Sequence, residues 1–359
     1  MKEWKNNIRL VDPYVAGEQP QFEHMIKLNT NENPFPPSPL VTEVLKNLNT
    51  EKLKLYPDTS SKVLVHELAE YYGLDDTQIF VGVGSDDVLA MAFLTFFYSD
   101  KPILFADITY SFYEVWASLY HIPYRLVPTG KGFTLDKEGY YQENGGIVIA
   151  NPNAPTSLAV SRDFIEDILI HNRKSVVIVD EAYVDFGAES ALPLIEKYDN
   201  LLVIQTFSKS RSLAGMRIGY AMGNPELIEA LVNIKNAYNS YTMNTASILC
   251  GAAAVKDTAY FRNSIKRIVD TREYVQNELL NMGFQVLDSK TNFLFIHHDK
   301  ICAKELFDAL RQENIFVRYF NKPGIDDYLR VTIGTKDQMQ VFLGFLSTYF
   351  QTTVTHQNE

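Results

Sequence analysis

The 359-residue chain has only two cysteines, Cys250 and Cys302. Their spacing is not that of metal ligands, and two thiols make no disulfide framework, so a reducing compartment suits them better. Long apolar runs are also missing. The most apolar stretch, 88–98, is interrupted by Thr95, far short of the ~20 residues a membrane helix needs. The opening MKEWKNNIRLVDPY contains no apolar core of signal-peptide length, so a cytoplasmic location is expected, with no membrane partner. Basic charge is in deficit. Against 33 Lys and Arg stand 44 Asp and Glu, a formal net charge of −11. A nucleic-acid partner is therefore not expected, and an anionic ligand would need a local basic pocket that overrides the global field. There is no HExxH motif, no internal repeat and no low-complexity tract, and His297-His298 reads as the polar end of a strand.

What is present is an ordinary globular composition, 46% apolar and 21% charged, at a length that suits about two domains. Residues 1–28 read as an N-terminal arm. Asn29 to Pro39 holds four prolines within six residues, which argues for an extended loop. From residue 62 onward helical and strand periods alternate. Helices are expected at 62–72, 86–98, 110–120 and 162–171, and short strands at 79–81, 102–105, 146–150, 175–179 and 201–205. The strands are continuous apolar runs rich in β-branched residues, which suits a mostly parallel sheet flanked by helices, an α/β large domain over 29–245. Beyond it, long helical stretches (225–237, 244–282) give way to strands near 285–287, 292–296, 315–319 and 328–333, with a helix at 302–313. This pattern predicts a smaller α+β domain over 246–359, ending in a frayed tail after Phe350.

In open α/β sheets, ligands bind at the carboxyl ends of the strands. Three such ends are unusually polar. Gly82-Val83-Gly84-Ser85-Asp86-Asp87 follows the strand at 79–81 and leads into a helix. It is either a plain tight turn or an anion cradle built from free N–H groups. Asp180-Glu181-Ala182-Tyr183 follows the run 176–179. A carboxylate there needs a structural ion pair, a capping role or a protonated heterocyclic nitrogen. Thr206-Phe207-Ser208-Lys209 follows the run 201–205, with Arg217 soon after. It is either a solvated basic loop or a lysine able to form a Schiff base beside a serine–arginine phosphate contact. Together the three ends match the needs of pyridoxal phosphate: a lysine for the aldehyde, an aspartate for the ring nitrogen, donors for the phosphate. A nucleotide-binding fold would need a GxGxxG or GK[ST] fingerprint, and neither occurs.

The motifs LNTNENPFPPSP, LYPD, VGVGSDD, ITYSFY, NPNAPTS, VIVDEAYVDF, TFSKSRSLAGMRIGY, TNFLF, FVRYF and YLRVTIGT resemble those of the fold-type I, class I/II aminotransferases over roughly residues 10–345. The resemblance implies a pyridoxal-phosphate transferase fold and transamination. It is narrowest toward the branch that exchanges the amine of histidinol phosphate with 2-oxoglutarate, giving glutamate in histidine biosynthesis. It implies that Lys209 holds the cofactor covalently, Asp180 pairs with the ring nitrogen, and Tyr183 donates to the ring's phenolic oxygen. Tyr110 would stack on the ring, while Ser85, Asp86, Ser208 and Arg217 would hold the phosphate. Tyr56 would reach the phosphate of a neighbouring subunit, making the active unit a homodimer with shared sites. Arg330, Arg318, Tyr14 and Asn33 would meet the substrate. Departures occur at Ala154, where the family has an asparagine facing the phenolic oxygen, at Ser157, where glycine is usual, and at Gly324, where arginine is expected. Asn153 is the expected replacement for the missing asparagine. An aromatic amino-acid aminotransferase and a phospho-amino-acid decarboxylase of the same fold are the alternatives.

Overall fold

The computed structural model describes residues 3–15, 17–20 and 24–356, with side chains to 350. Its strands are β1 (Ile26–Lys27), β2 (Ile79–Gly82), β3 (Ile103–Ala106), β4 (Tyr124–Val127), β5 (Gly146–Ala150), β6 (Val177–Asp180), β7 (Leu201–Thr206), β8 (Gly219–Gly223), β9 (Gln285–Val286), β10 (Phe293–His297), β11 (Ile315–Phe316), β12 (Arg318–Tyr319) and β13 (Tyr328–Thr332). The large sheet has the order β2-β8-β7-β6-β5-β3-β4. Within it β8 alone runs antiparallel to its neighbours β2 and β7. Every residue of β2, β3, β5, β6, β7 and β8 is buried, as expected for strands covered on both faces. Because β2 and β3–β7 share one direction, their carboxyl ends and the start of β8 all open at one edge.

The helices keep the sequence-derived positions within a few residues. Short polar caps set their starts: Ser161 accepts from Phe164 N at 3.3 Å, and Asn244 from Ser247 N at 2.8 Å. The single long helix expected over 244–282 is two, Thr245–Lys256 and Thr258–Asn281. Asp257 breaks it, because its carboxylate caps the second helix through Tyr260 N at 3.1 Å. The proline-rich loop also ends earlier than expected. Pro39 opens a helix, Pro39–Lys46, where its fixed φ suits the first turn and Ser38 caps it. The expected strand at 315–319 splits between two sheets: β11 pairs in parallel with β1, while β12 joins the sheet β12-β13-β10-β9.

Three large cores form among the described residues, one of them packing Phe80, Phe93, Phe105, Trp116 and Ile178. Another packs Leu64, Leu68, Ile168 and Val203 with Ile248, Ala254 and Val255 of the helix Thr245–Lys256. The third packs Ile268, Val275, Phe293 and Val331 with Leu28 of the arm. Leu28, Ala154, Tyr183 and Phe186 pack with the C-terminal residues, while the helix Thr245–Lys256 packs in the core of the large sheet. The helix Lys336–His356 continues past Phe350. Among the described residues, no helix is long and apolar enough to cross a membrane.

Candidate active site

A cavity of about 330 Å³ lies where the strand ends of the large sheet face β12 and β13. Eleven of the fourteen site residues expected from the sequence line it. Asn33, Tyr56 and Asn153 do not.

One wall is built for an anion. Gly84, at φ +87°, precedes the helix Ser85–Phe96 and offers it no side-chain cap, so the first N–H groups face the cavity uncapped by a side chain. A Cβ on Gly84 would sit 2.3 Å from Arg217 Nη2, and one on Gly219 would sit 2.3 Å from Gly84 C and Ser85 N. Only glycine at both positions lets β8 and the guanidinium close on the helix start. Arg217 adopts φ +52°, a costly conformation for a long side chain. Its Nη1 donates to Ser208 Oγ at 3.3 Å and its Nη2 pairs with Asp86 Oδ2 at 3.3 Å. The other Asp86 oxygen accepts from Tyr110 OH at 2.9 Å, which fixes that ring at the cavity wall.

The opposite requirement, a cation, comes from Asp180. It ends β6 with 6% exposure. Burial pushes its carboxyl up to about 6, although hydrogen bonds from Tyr113 and the backbone of Ala182 hold it down. Those bonds are 2.7 Å from Tyr113 OH and 3.2 Å from Ala182 N. Its neighbour Glu181 faces away. Burial raises it to about 7, and Ala191 N, Ser190 Oγ and Gln205 Nε2 donate to it within 2.6–2.8 Å. That carboxyl braces the loop and does not line the cavity.

Lys209 follows β7 by three residues. Its Nζ donates to Thr30 O at 3.0 Å and lies 5.7 Å from the centre of the Tyr183 ring. Asn33 grips the backbone beneath it, donating to Lys209 O at 3.1 Å and Ser210 O at 3.2 Å. This carboxamide thus holds the lysine loop and does not line the cavity. Asn153 is fully engaged as well. Its Oδ1 accepts from Thr109 Oγ1 at 2.7 Å, and its Nδ2 donates to Ile108 O and Thr156 Oγ1, both at 2.9 Å. The geometry does not carry the expectation that Asn153 replaces the absent carboxamide, because Ala154, not Asn153, forms the wall.

On the small-sheet side, Arg330 lies between the rings of Phe293 and Phe320 and donates Nη2 to Asn29 O at 3.0 Å. Its Nε is buried without a partner. A guanidinium that lines the cavity with a donor unmet has the chemistry to receive a carboxylate. Arg318 donates to Val15 O at 3.0 Å, and Tyr14 stacks on Phe112 at 4.2 Å, so the arm closes the outer rim. Tyr56 is 81% exposed, stacked on Tyr241 at 4.5 Å, outside the cavity. Three residues were not singled out from the sequence: Tyr113 and Asn31, the partners of Asp180 and Tyr183, and Thr30, which holds the lysine. All lie within quoted motifs, ITYSFY and LNTNENP, but the motifs alone do not show which side chain faces which partner.

The family model for aminotransferase class I and II matches residues 23–346. The chain belongs to the class I and II aminotransferases. Similar members of that class include the histidinol-phosphate aminotransferase of Lactococcus lactis subsp. cremoris (strain MG1363), 52% identical over 97% of this chain and 98% of that one. Another, from Clostridium acetobutylicum, is 51% identical over 95% and 97%. Among solved structures, the Sinorhizobium meliloti histidinol-phosphate aminotransferase, in complex with pyridoxal-5'-phosphate, has a TM-score of 0.84 at 22% identity, covering 91% of each chain. An enzyme of that description from Clostridium acetobutylicum has a TM-score of 0.82 at 24% identity, over 89% and 97%. These two likenesses establish the aminotransferase fold. The cavity fits the cofactor of this class on its own chemistry. It combines an anion cradle, a buried carboxylate that lacks a cation, and a lysine amine between them.

Proposed function

We propose that this pyridoxal-phosphate-dependent aminotransferase exchanges the amine of histidinol phosphate with 2-oxoglutarate, giving imidazole-acetol phosphate and glutamate. The observation that carries the reading is the pairing of two receptors around Lys209: the cradle at Ser85, Ser208 and Arg217, and the guanidinium of Arg330, with its Nε unpaired, beside Arg318. The names of relatives half identical to this chain support the substrate.

When bound, pyridoxal phosphate supplies an aldehyde for the lysine and a protonated ring that draws electrons from the substrate's α-carbon. The chain's residues do the rest. The cradle anchors the phosphate and so fixes the ring's orientation. Asp180, kept ionised by Tyr113 and Ala182, holds the proton on the ring nitrogen. Tyr110 covers one face. Tyr183 presents its hydroxyl at the ring's edge. Lys209 Nζ would be the base that removes the substrate's α-proton and the acid that returns it. Arg330 takes the α-carboxylate of glutamate as a bidentate pair, and Arg318 and Tyr14 meet the far end of the substrate.

In this reading the enzyme is a cytoplasmic dimer with shared sites, and Tyr56, which is exposed, acts across the homodimer interface. Its neighbours Leu53, Leu55, Tyr238 and Tyr241 supply exposed apolar surface for such a contact. Turnover of histidinol phosphate with 2-oxoglutarate, following glutamate, tests the reaction. One glutamate per histidinol phosphate consumed supports transamination. No glutamate from histidinol phosphate, with carbon dioxide released instead from a phospho-amino acid that bears an α-carboxylate and without need of an oxo acid, would mean a decarboxylase.

A further inference from the structure

Ala154 leaves the phenolic-oxygen side of the cavity without the carboxamide expected there, and the side chain of Asn153 is turned away into its own bonds. Of the two side chains that the resemblance assigns to that oxygen, Tyr183 is the one present, so the direction of its hydroxyl proton matters. A chain of hydrogen bonds determines it. The backbone N–H of Asn31 donates to Thr332 Oγ1 at 3.0 Å. The Thr332 hydroxyl in turn donates to Asn31 Oδ1, also at 3.0 Å. With its oxygen facing Thr332, the Asn31 amide must turn Nδ2 to Tyr183, and it donates to Tyr183 OH at 2.8 Å. Tyr183 accepts there, so its own proton points elsewhere, and its side chain borders the cavity. Asn292, which precedes β10, secures the arrangement by donating to Asn31 O at 3.0 Å. Asn31 is buried and held at φ +57°, in the left-handed region that asparagine tolerates better than most residues.

We propose that Asn31 is a positioning residue: it makes Tyr183 a hydrogen-bond acceptor on one side, and so obliges it to donate to the cofactor's phenolic oxygen on the other. The carboxamide missing at Ala154 is thus replaced indirectly, through the orientation of a tyrosine proton. The anchor is Thr332 of β13, two residues from Arg330, so the strand that carries the substrate's carboxylate receptor also sets the proton. This inference rests on the assignment of Tyr183 to the phenolic oxygen.

The test is the visible absorption band of the resting, pyridoxal-phosphate-loaded enzyme, titrated with alkali and without substrate. Donation to the phenolic oxygen favours the form in which that oxygen bears the charge and the lysine-linked nitrogen has lost its proton. Loss of donation therefore raises the midpoint. Tyr183→Phe is expected to raise it by about one pH unit, the size of one hydrogen bond to a charged group. Asn31→Ala should raise it by a sizeable fraction of that, and should add nothing in the Tyr183→Phe background. Asn31→Asp keeps shape and backbone conformation but accepts where asparagine donates. It turns the Tyr183 proton away, so it should shift the midpoint at least as far as Asn31→Ala, with most of the shift gone in the Tyr183→Phe background. An Asn31→Ala midpoint equal to wild type overturns the proposal, as does an equal shift with and without Tyr183. If Tyr183→Phe itself leaves the midpoint unmoved, the assignment of Tyr183 has failed, and the inference falls with it.

Discussion

Tyr113 OH donates to Asp180 Oδ2 at 2.7 Å, deep beneath the cavity floor, joining the first helix after β3 to the end of β6. Both groups are buried, so this bond is the main force opposing the burial that pushes Asp180 up to about 6. Removing it lets the carboxyl rise further. Tyr113→Phe is therefore expected to move the acidic limb of the kcat profile to higher pH. It should lower kcat at neutral pH by about 10- to 100-fold, the weight of a hydrogen bond to a charged group. An unchanged acidic limb would show that Asp180 is held ionised by something other than Tyr113.

The same carboxyl makes cofactor-free protein sensitive to pH. A folded-state value near 6 against an ordinary 3.8 means the folded chain binds the proton more tightly than the unfolded one. Stability of the apoprotein therefore falls as pH rises from about 4 through 6, by about 3 kcal/mol from this group. Asp180→Asn should be more stable than wild type above pH 7 when both lack cofactor, and this gain should disappear when wild type is loaded. Denaturant titrations of both forms at pH 5 and pH 8 measure it. Equal stability at pH 8 without cofactor would mean that the carboxylate is not strained in the empty site.

Gly219 tests the cradle. A methyl group there meets the backbone of Gly84 and Ser85 at 2.3 Å, so Gly219→Ala must push β8 from the helix start. Overpacking of this kind costs about 1–3 kcal/mol, and the weakening should appear in cofactor affinity, about 10-fold or more. Gly215→Ala, with open space around it, is the control and should bind as wild type does. Equal affinities for both variants would move the phosphate site elsewhere.

Sequence patterns revealed the parallel strands and the polar segments at their carboxyl ends, because buried strands are apolar runs and a polar residue breaks such a run abruptly. Asp180, Lys209 and Arg217 were legible for that reason. β8 was not, since Gly219–Gly223 is glycine-rich and short, and neither was β4, whose residues are mostly exposed at the sheet edge. The site's supporting bonds were hidden too. Asn31 meets Tyr183 across 152 residues and Tyr113 meets Asp180 across 67, and no local period encodes such pairs. Asn33 and Asn153 have the right residue type in the right motif, yet their carboxamides are consumed by backbone and hydroxyl groups. Which polar atom is left free is decided by tertiary packing.

On the proposed reaction, Arg330 would separate the two half-reactions. Glutamate carries an α-carboxylate and histidinol phosphate does not. Arg330→Ala should therefore raise KM for glutamate by about 100-fold or more, the loss of a buried bidentate pair, and alter KM for histidinol phosphate far less. Steady-state kinetics with each amine donor measures the split. Equal effects on both would assign Arg330 to a feature the two substrates share.

The identity of the amine donor is decided by a spectral titration of the cofactor-loaded enzyme without any oxo acid. Histidinol phosphate is added to one sample and phenylalanine to another, and conversion of the resting absorption to that of the aminated cofactor is followed. Histidinol phosphate is expected to convert it at concentrations at least about 100-fold lower, since its phosphate gains charge-assisted bonds that phenylalanine cannot make. Conversion by phenylalanine at equal or lower concentration would contradict that expectation, leaving the fold and the transamination chemistry but assigning the site to aromatic amino acids.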